Sequence, residues 1–136
     1  MKGSYILVVF VENDIRLIVG ALGEIVFRKG FYLYVGSAMG NYGSSALLNR
    51  VKRHLSSRKN KSIHWHIDYL LAENHSMITK IYLIPSIEQL ECIIAQGLSE
   101  ICDDLIRNFG SSDCMCISHL FYFNNIDCFS RNNSNI

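Results

Sequence analysis

The side chains able to do chemistry gather first between Gly30 and Leu55, in GFYLYVGSAMGNYGSSALLNRVKRHL. Phe31, Leu33 and Val35 alternate with Tyr32 and Tyr34, a period of two that sends the apolar groups to one sheet face and both phenols to the other. Arg50 and His54 follow, one helical turn apart. Two phenols, a guanidinium and an imidazole directed toward one region suit a phosphodiester. Gly36, Gly40 and Gly43 between them allow a turn or a close backbone approach.

Glu91 is a carboxylate on the edge of an apolar stripe. On a helix with Ile87, Leu90, Ile94, Leu98 and Ile101 inward, it projects roughly 40° from Ile87 and roughly 20° from Leu98. A buried carboxylate needs a cation, either a side chain such as Arg50 or a bound metal. A basic run, Arg50, Lys52, Arg53, Arg58, Lys59 and Lys61, can neutralise several phosphates, although such runs are more often solvated helix faces. Tyr32, Tyr34, Tyr42 and Trp65 add surfaces on which bases stack. His64-Trp65-His66, read as a strand, points two imidazoles the same way and suits either zinc or one base beside a structural histidine. Cys114, Cys116 and His119 offer three soft ligands at a non-standard spacing. The favoured reading there is ordinary free cysteines rather than Zn²⁺.

These residues require elements to hold them. Strands are expected over Ser4–Val11, Ile15–Val19, Glu24–Phe27 and Phe31–Val35, as an antiparallel meander with the first strand central. A helix from about Ser45 to Ser57, capped by Ser44 or Ser45, should bury Leu47, Leu48, Val51 and Leu55, with Arg50 and His54 on its border. A short helix within 63–71, a strand over Met77–Ile84, a helix from about Ile87 to Cys102 capped by Ser86, and a last strand over His119–Phe123 complete the pattern. The fold class is α+β, one domain over residues 1–123 with a frayed tail over 124–136.

Composition agrees with a single domain. The chain has 136 residues, 49% of them hydrophobic, and one proline. A net charge of +1 forces no polyanion partner, so any phosphate affinity must be local. An odd number of scattered cysteines suggests a reducing cytoplasm. The apolar run near the N-terminus is stopped by Glu12 and Asp14 and reads as a strand, not a signal peptide. No stretch is long enough to span a membrane.

Gly3-Ser4-Tyr5, Tyr34-Val35-Gly36, Arg50 and His54 in NRVKRHL, and Glu91 in QLECIIAQ occur in the order of the GIY-YIG nuclease superfamily. GALG, YVGSAMG, HWHIDYLL and FGSSDCMCISHLFY match its small uncharacterised branch, the Uri-type endonucleases, found alone or fused to a DNA repair glycosylase. The chain resembles that branch from Lys2 to Phe123. The resemblance implies a compact antiparallel sheet flanked by helices, and a metal-dependent endonuclease acting on DNA, damaged or branched. Tyr5 and Tyr34 would serve as base and helper, Arg50 as phosphate clamp, and Glu91 as ligand of one Mg²⁺ or Mn²⁺. His54 and His66 are alternative bases, and Gly36, Ser37 and His66 would support the site. Lys52, Arg53, Arg58, Lys59 and Lys61 would hold the nucleic acid, and a repair protein is the implied partner. The chain departs from the pattern at Ser4, which replaces an aliphatic residue, and in a longer separation of Tyr5 from Tyr34, occupied by the segment Ile15–Phe27. The alternative is a catalytically silent nucleic-acid-binding module, or a protein-interaction domain, on the same fold.

Overall fold

The computed structural model describes residues 1–56 and 62–126. Its centre is a pair of nine-residue antiparallel strands, β1 (Gly3–Val11) and β4 (Gly30–Ala38), in register from Gly3 opposite Ala38 to Val11 opposite Gly30. β5 (Ser76–Pro85) lies on the far side of β1, with a register shift between Val8 and Val9. β7 (Leu120–Phe123) lies on the far side of β4, and the two-residue β6 (Asp104–Leu105) beyond it. The order is β5-β1-β4-β7-β6, with every pair antiparallel.

β1 is apolar at consecutive positions because both of its faces are covered. Tyr5, Leu7, Val9 and Val11 join Tyr32, Tyr34 and Leu120 under α1 (Leu47–Leu55) and α2 (His66–Leu71), through Leu47, Val51, Ile67 and Leu70. Ile6 and Val8 join Leu33, Val35, Phe121 and Phe123 under α3 (Glu91–Ile101), through Ala95 and Leu98. The alternation predicted for Phe31–Val35 is therefore present, and each of its faces has its own core.

Four sequence expectations change. β2 (Ile15–Ile18) pairs with β3 (Glu24–Phe27) in a separate two-stranded sheet, so the meander's outer hairpin leaves β1 free to pair with β5. β4 runs through Gly36 instead of ending before it. α1 begins at Leu47 after Ala46, without a serine cap. It buries Leu47, Val51 and His54, whereas Leu48 and Leu55 are 44% and 55% exposed. α3 begins at Glu91. Ser86 Oγ instead accepts the amide of Glu88, and Ile87 is 89% exposed. The expected tail lies outside the described residues from 127 onward.

Candidate active site

β7 stops short of the end of β4. Its last strand partner is Tyr34, followed by one bond from Val35 N–H to the His119 carbonyl. Past that point no strand among the described residues flanks β4 on this side, and a cleft of about 370 Å³ opens there. Tyr5, Tyr34, Gly36 and Ser37 contribute from the two central strands. Arg50 and Trp65 enter from α1 and the segment before α2, and Gln89, Glu91 and Cys92 from the start of α3. The loop before β7 adds Gly110, Asp113 and Cys114.

Tyr5 is buried, and its ring crosses directly over Gly36. A Cβ at that position would lie 2.3 Å from the ring, so only glycine lets the phenol reach the cleft. Tyr5 Oη lies 2.8 Å from His54 Nε2. This bond explains why a histidine occupies the buried stripe of α1, where the sequence pattern suggested a border. Tyr34 packs edge-on to His54 at 6.2 Å between ring centres. Burial pushes the Tyr5 phenol well above its ordinary range; the Arg50 charge opposes the rise and Glu91 adds to it. Burial raises Tyr34 still more plainly, with the neighbouring Tyr5 and Glu91 acting the same way. Both phenols are therefore neutral at physiological pH.

Arg50 is held from behind. Its Nη1 donates to the Ser37 carbonyl at 3.0 Å and its Nε to the Ser44 carbonyl at 3.1 Å. Its guanidinium carbon lies 4.6 Å from the centre of the Trp65 ring. Among the described residues Arg50 makes no ion pair, so the expected alternative of an Arg50–Glu91 bridge is not what the structure contains. Glu91 instead places Oε1 3.5 Å from Nδ1 of the buried His119, with its side chain 16% exposed. It occupies the first turn of α3, where the unpaired helix amides favour a negative charge. Burial lowers the pKa of His119, and Glu91 opposes that effect. Glu91 and the exposed Asp113 give the cleft two carboxylates, the hard oxygen donors that Mg²⁺ or Mn²⁺ prefers.

The remaining expected residues lie elsewhere. His66 opens α2 rather than a strand, and its Nδ1 accepts the Gly110 amide at 2.8 Å. It thereby pins the loop that carries Asp113, and burial lowers its pKa. Arg53 forms a two-pronged pair with the buried Asp68 at 3.0 and 3.1 Å, and does not present a free basic face. Lys52 is exposed, while Arg58, Lys59 and Lys61 lie outside the described residues. Sequence reasoning missed Asp68 as the anchor of this region and Cys92 and Asp113 as cleft residues. A buried acid two positions after HWH was the available signal for the first.

The family model described as "Domain of unknown function DUF123" matches residues 4–136. No curated protein and no solved structure matches the chain.

Proposed function

The chain belongs to the family described as Domain of unknown function DUF123, and we propose that it is a metal-dependent endonuclease of the GIY-YIG type that hydrolyses phosphodiester bonds in DNA. What carries the reading is one juxtaposition. Tyr5, Tyr34, Arg50 and Glu91, drawn from four elements, line a single cleft with His54 bonded behind Tyr5.

In this reading the scissile phosphate rests against Arg50. The Trp65 ring and two backbone carbonyls fix the guanidinium before substrate arrives, so little reorganisation is needed as negative charge develops. Glu91 would hold the divalent ion, and Asp113 lines the same cleft as a second carboxylate. When bound, that ion would offset phosphate charge and polarise the attacking water. A protonated phenol cannot act as a base on its own. Tyr5 can accept a proton from water as it passes its own to His54 Nε2, leaving a neutral phenol and a protonated imidazole.

A second reading, a catalytically silent nucleic-acid-binding module, is favoured by the same burial that keeps both phenols protonated. The test is cleavage of single-stranded, duplex, flap and abasic DNA with Mg²⁺ or Mn²⁺, beside Arg50→Ala and Glu91→Gln. Cutting by the native chain and by neither folded variant is expected. Salt-sensitive binding without cutting would move the assignment to the second reading.

A further inference from the structure

Sγ of Cys92, Cys114 and Cys116 and a ring nitrogen of His119 all lie within 4.8 Å of one another. We propose that these four residues bind one zinc ion that ties the loop before β7 to the start of α3. The inference is independent of the nuclease reading.

Four tetrahedral ligands around zinc, with Zn–S near 2.3 Å and Zn–N near 2.0 Å, have sulfurs about 3.8 Å apart and sulfur and nitrogen about 3.5 Å apart. Cys114 Sγ and His119 Nε2 are already 3.4 Å apart. The widest separation in the cluster needs to close by only about 1 Å to reach that geometry. His119 is oriented for the task. Nε2 faces the sulfur while Nδ1 faces Glu91 Oε1 at 3.5 Å, so a small shift would make the carboxylate–histidine hydrogen bond that fixes the tautomer of a zinc-bound imidazole.

Cys116 packs against the edge of the core under α3, but core packing does not account for Cys92 and Cys114. Cys92 is exposed and Cys114 and Cys116 are only partly buried, whereas an inert core thiol is enclosed. Three thiols and one imidazole select a borderline-soft, tetrahedral ion. Four protein ligands leave no open position, so the ion is structural and not the one that would meet substrate. The base of the loop is held by Asn108 N–H to the Ile117 carbonyl, His119 N–H to the Phe109 carbonyl and Gly110 N–H to His66 Nδ1, and the ion would fasten the part beyond them. From Ile106 to His119 the loop contains no strand or helix, and Met115 at its tip is fully exposed. Cys92 immediately follows Glu91, so the ion would also fix the carboxylate in the cleft.

The test is the zinc content of protein purified without chelators, measured by elemental mass spectrometry. About one zinc per chain is expected in the native chain and in Cys102→Ser, whose thiol lies outside the cluster. At least a tenfold lower content is expected in Cys114→Ser and in His119→Ala. Should those variants fail to fold, metal-stripped native protein is titrated with Co²⁺. The intense visible bands of tetrahedral thiolate-bound cobalt, abolished by added Zn²⁺, are then expected. Metal-free native protein that gives no cobalt bands and no rise in melting temperature with Zn²⁺ would overturn the proposal. So would an unchanged zinc content in folded Cys114→Ser and His119→Ala.

Discussion

Tyr5 and His54 are separated by 49 residues, and each accounts for the other's burial. A phenol inside an apolar layer and an imidazole on the inner stripe of a helix would each be costly alone; bonded at 2.8 Å they satisfy one another. Tyr5→Phe keeps the ring over Gly36 and removes only the hydroxyl. It should leave His54 Nε2 without its partner, at a cost of about 1–3 kcal/mol. The second substitution in Tyr5→Phe/His54→Leu should add less than it does alone, because both polar partners are then gone. Denaturant unfolding of the four proteins measures this coupling. In the proposed reaction Tyr5→Phe should also slow single-turnover cleavage by about 10²–10⁴-fold. Cleavage at the native rate would remove Tyr5 from the proton path.

At the scale of elements, α1 carries both a cleft residue and the cleft's brace. Arg50 faces the site, and Arg53, three positions on, reaches back to Asp68 at the start of α2. Asp68 also accepts the amides of His64 and Trp65, so one carboxylate orders the segment that lays Trp65 beneath Arg50. Burial alone would raise its pKa; the Arg53 guanidinium and the two amides outweigh that and hold it below the ordinary value. A carboxyl with a depressed folded-state pKa contributes stability above its unfolded value, near 3.9, and loses it as pH falls through the lower folded value. Asp68→Asn should therefore destabilise by about 3 kcal/mol at neutral pH, the lower end for a broken buried pair, because Arg53 is partly exposed and can turn to water. Its stability should also fall less steeply than that of the native chain between pH 4 and the acid limit. Urea unfolding at several pH values checks both points, and parallel pH curves would show that the carboxylate is not the titrating group.

Legibility in the sequence followed the range of the interactions. β1, β4, β5 and β7 could be read because period-two alternation and apolar runs are local. α1 was read too broadly. Leu48 and Leu55 project roughly 80–100° from the line through Leu47, Val51 and His54, and a nine-residue helix docks on a narrower stripe than its apolar content suggests. Glu91 was singled out for partial burial and is partly buried, yet its helix starts at that residue and its nearest partner is the His119 imidazole rather than a side-chain cation. Cys92 could not be assigned because its neighbours come from the loop before β7, which no local spacing encodes; Asp68 was missed although its bonds to the His64 and Trp65 amides are local, and only its pairing with Arg53 is set by tertiary packing.

The whole molecule brings its cleft together from β1 near the N-terminus and the loop before β7 near residue 114, yet it carries a net charge of only +1. Long-range attraction therefore cannot recruit nucleic acid, and contact must rest on a few cations placed near the cleft. In the proposed reaction Arg50, which lines the cleft, would meet one phosphate; Lys52 is exposed on the same helix, while Arg53 is committed to Asp68. Arg58, Lys59 and Lys61 supply three further charges immediately after α1 in sequence. Each duplex phosphate neutralised by Lys or Arg adds about −0.9 to the slope of log K against log salt concentration. Fluorescence anisotropy of a short labelled duplex should thus give a slope between about −3 and −5 for the native chain. Replacing Arg58, Lys59 and Lys61 together by alanine should make it shallower by about 2–3. Arg50→Ala should remove only about 0.9 of slope while abolishing cleavage, because that guanidinium meets the phosphate that reacts. An unchanged slope in the triple variant would instead make the basic segment a solvated surface, and would place the neutralising charges elsewhere, because Arg50 and Lys52 alone supply a slope of only about −1.8.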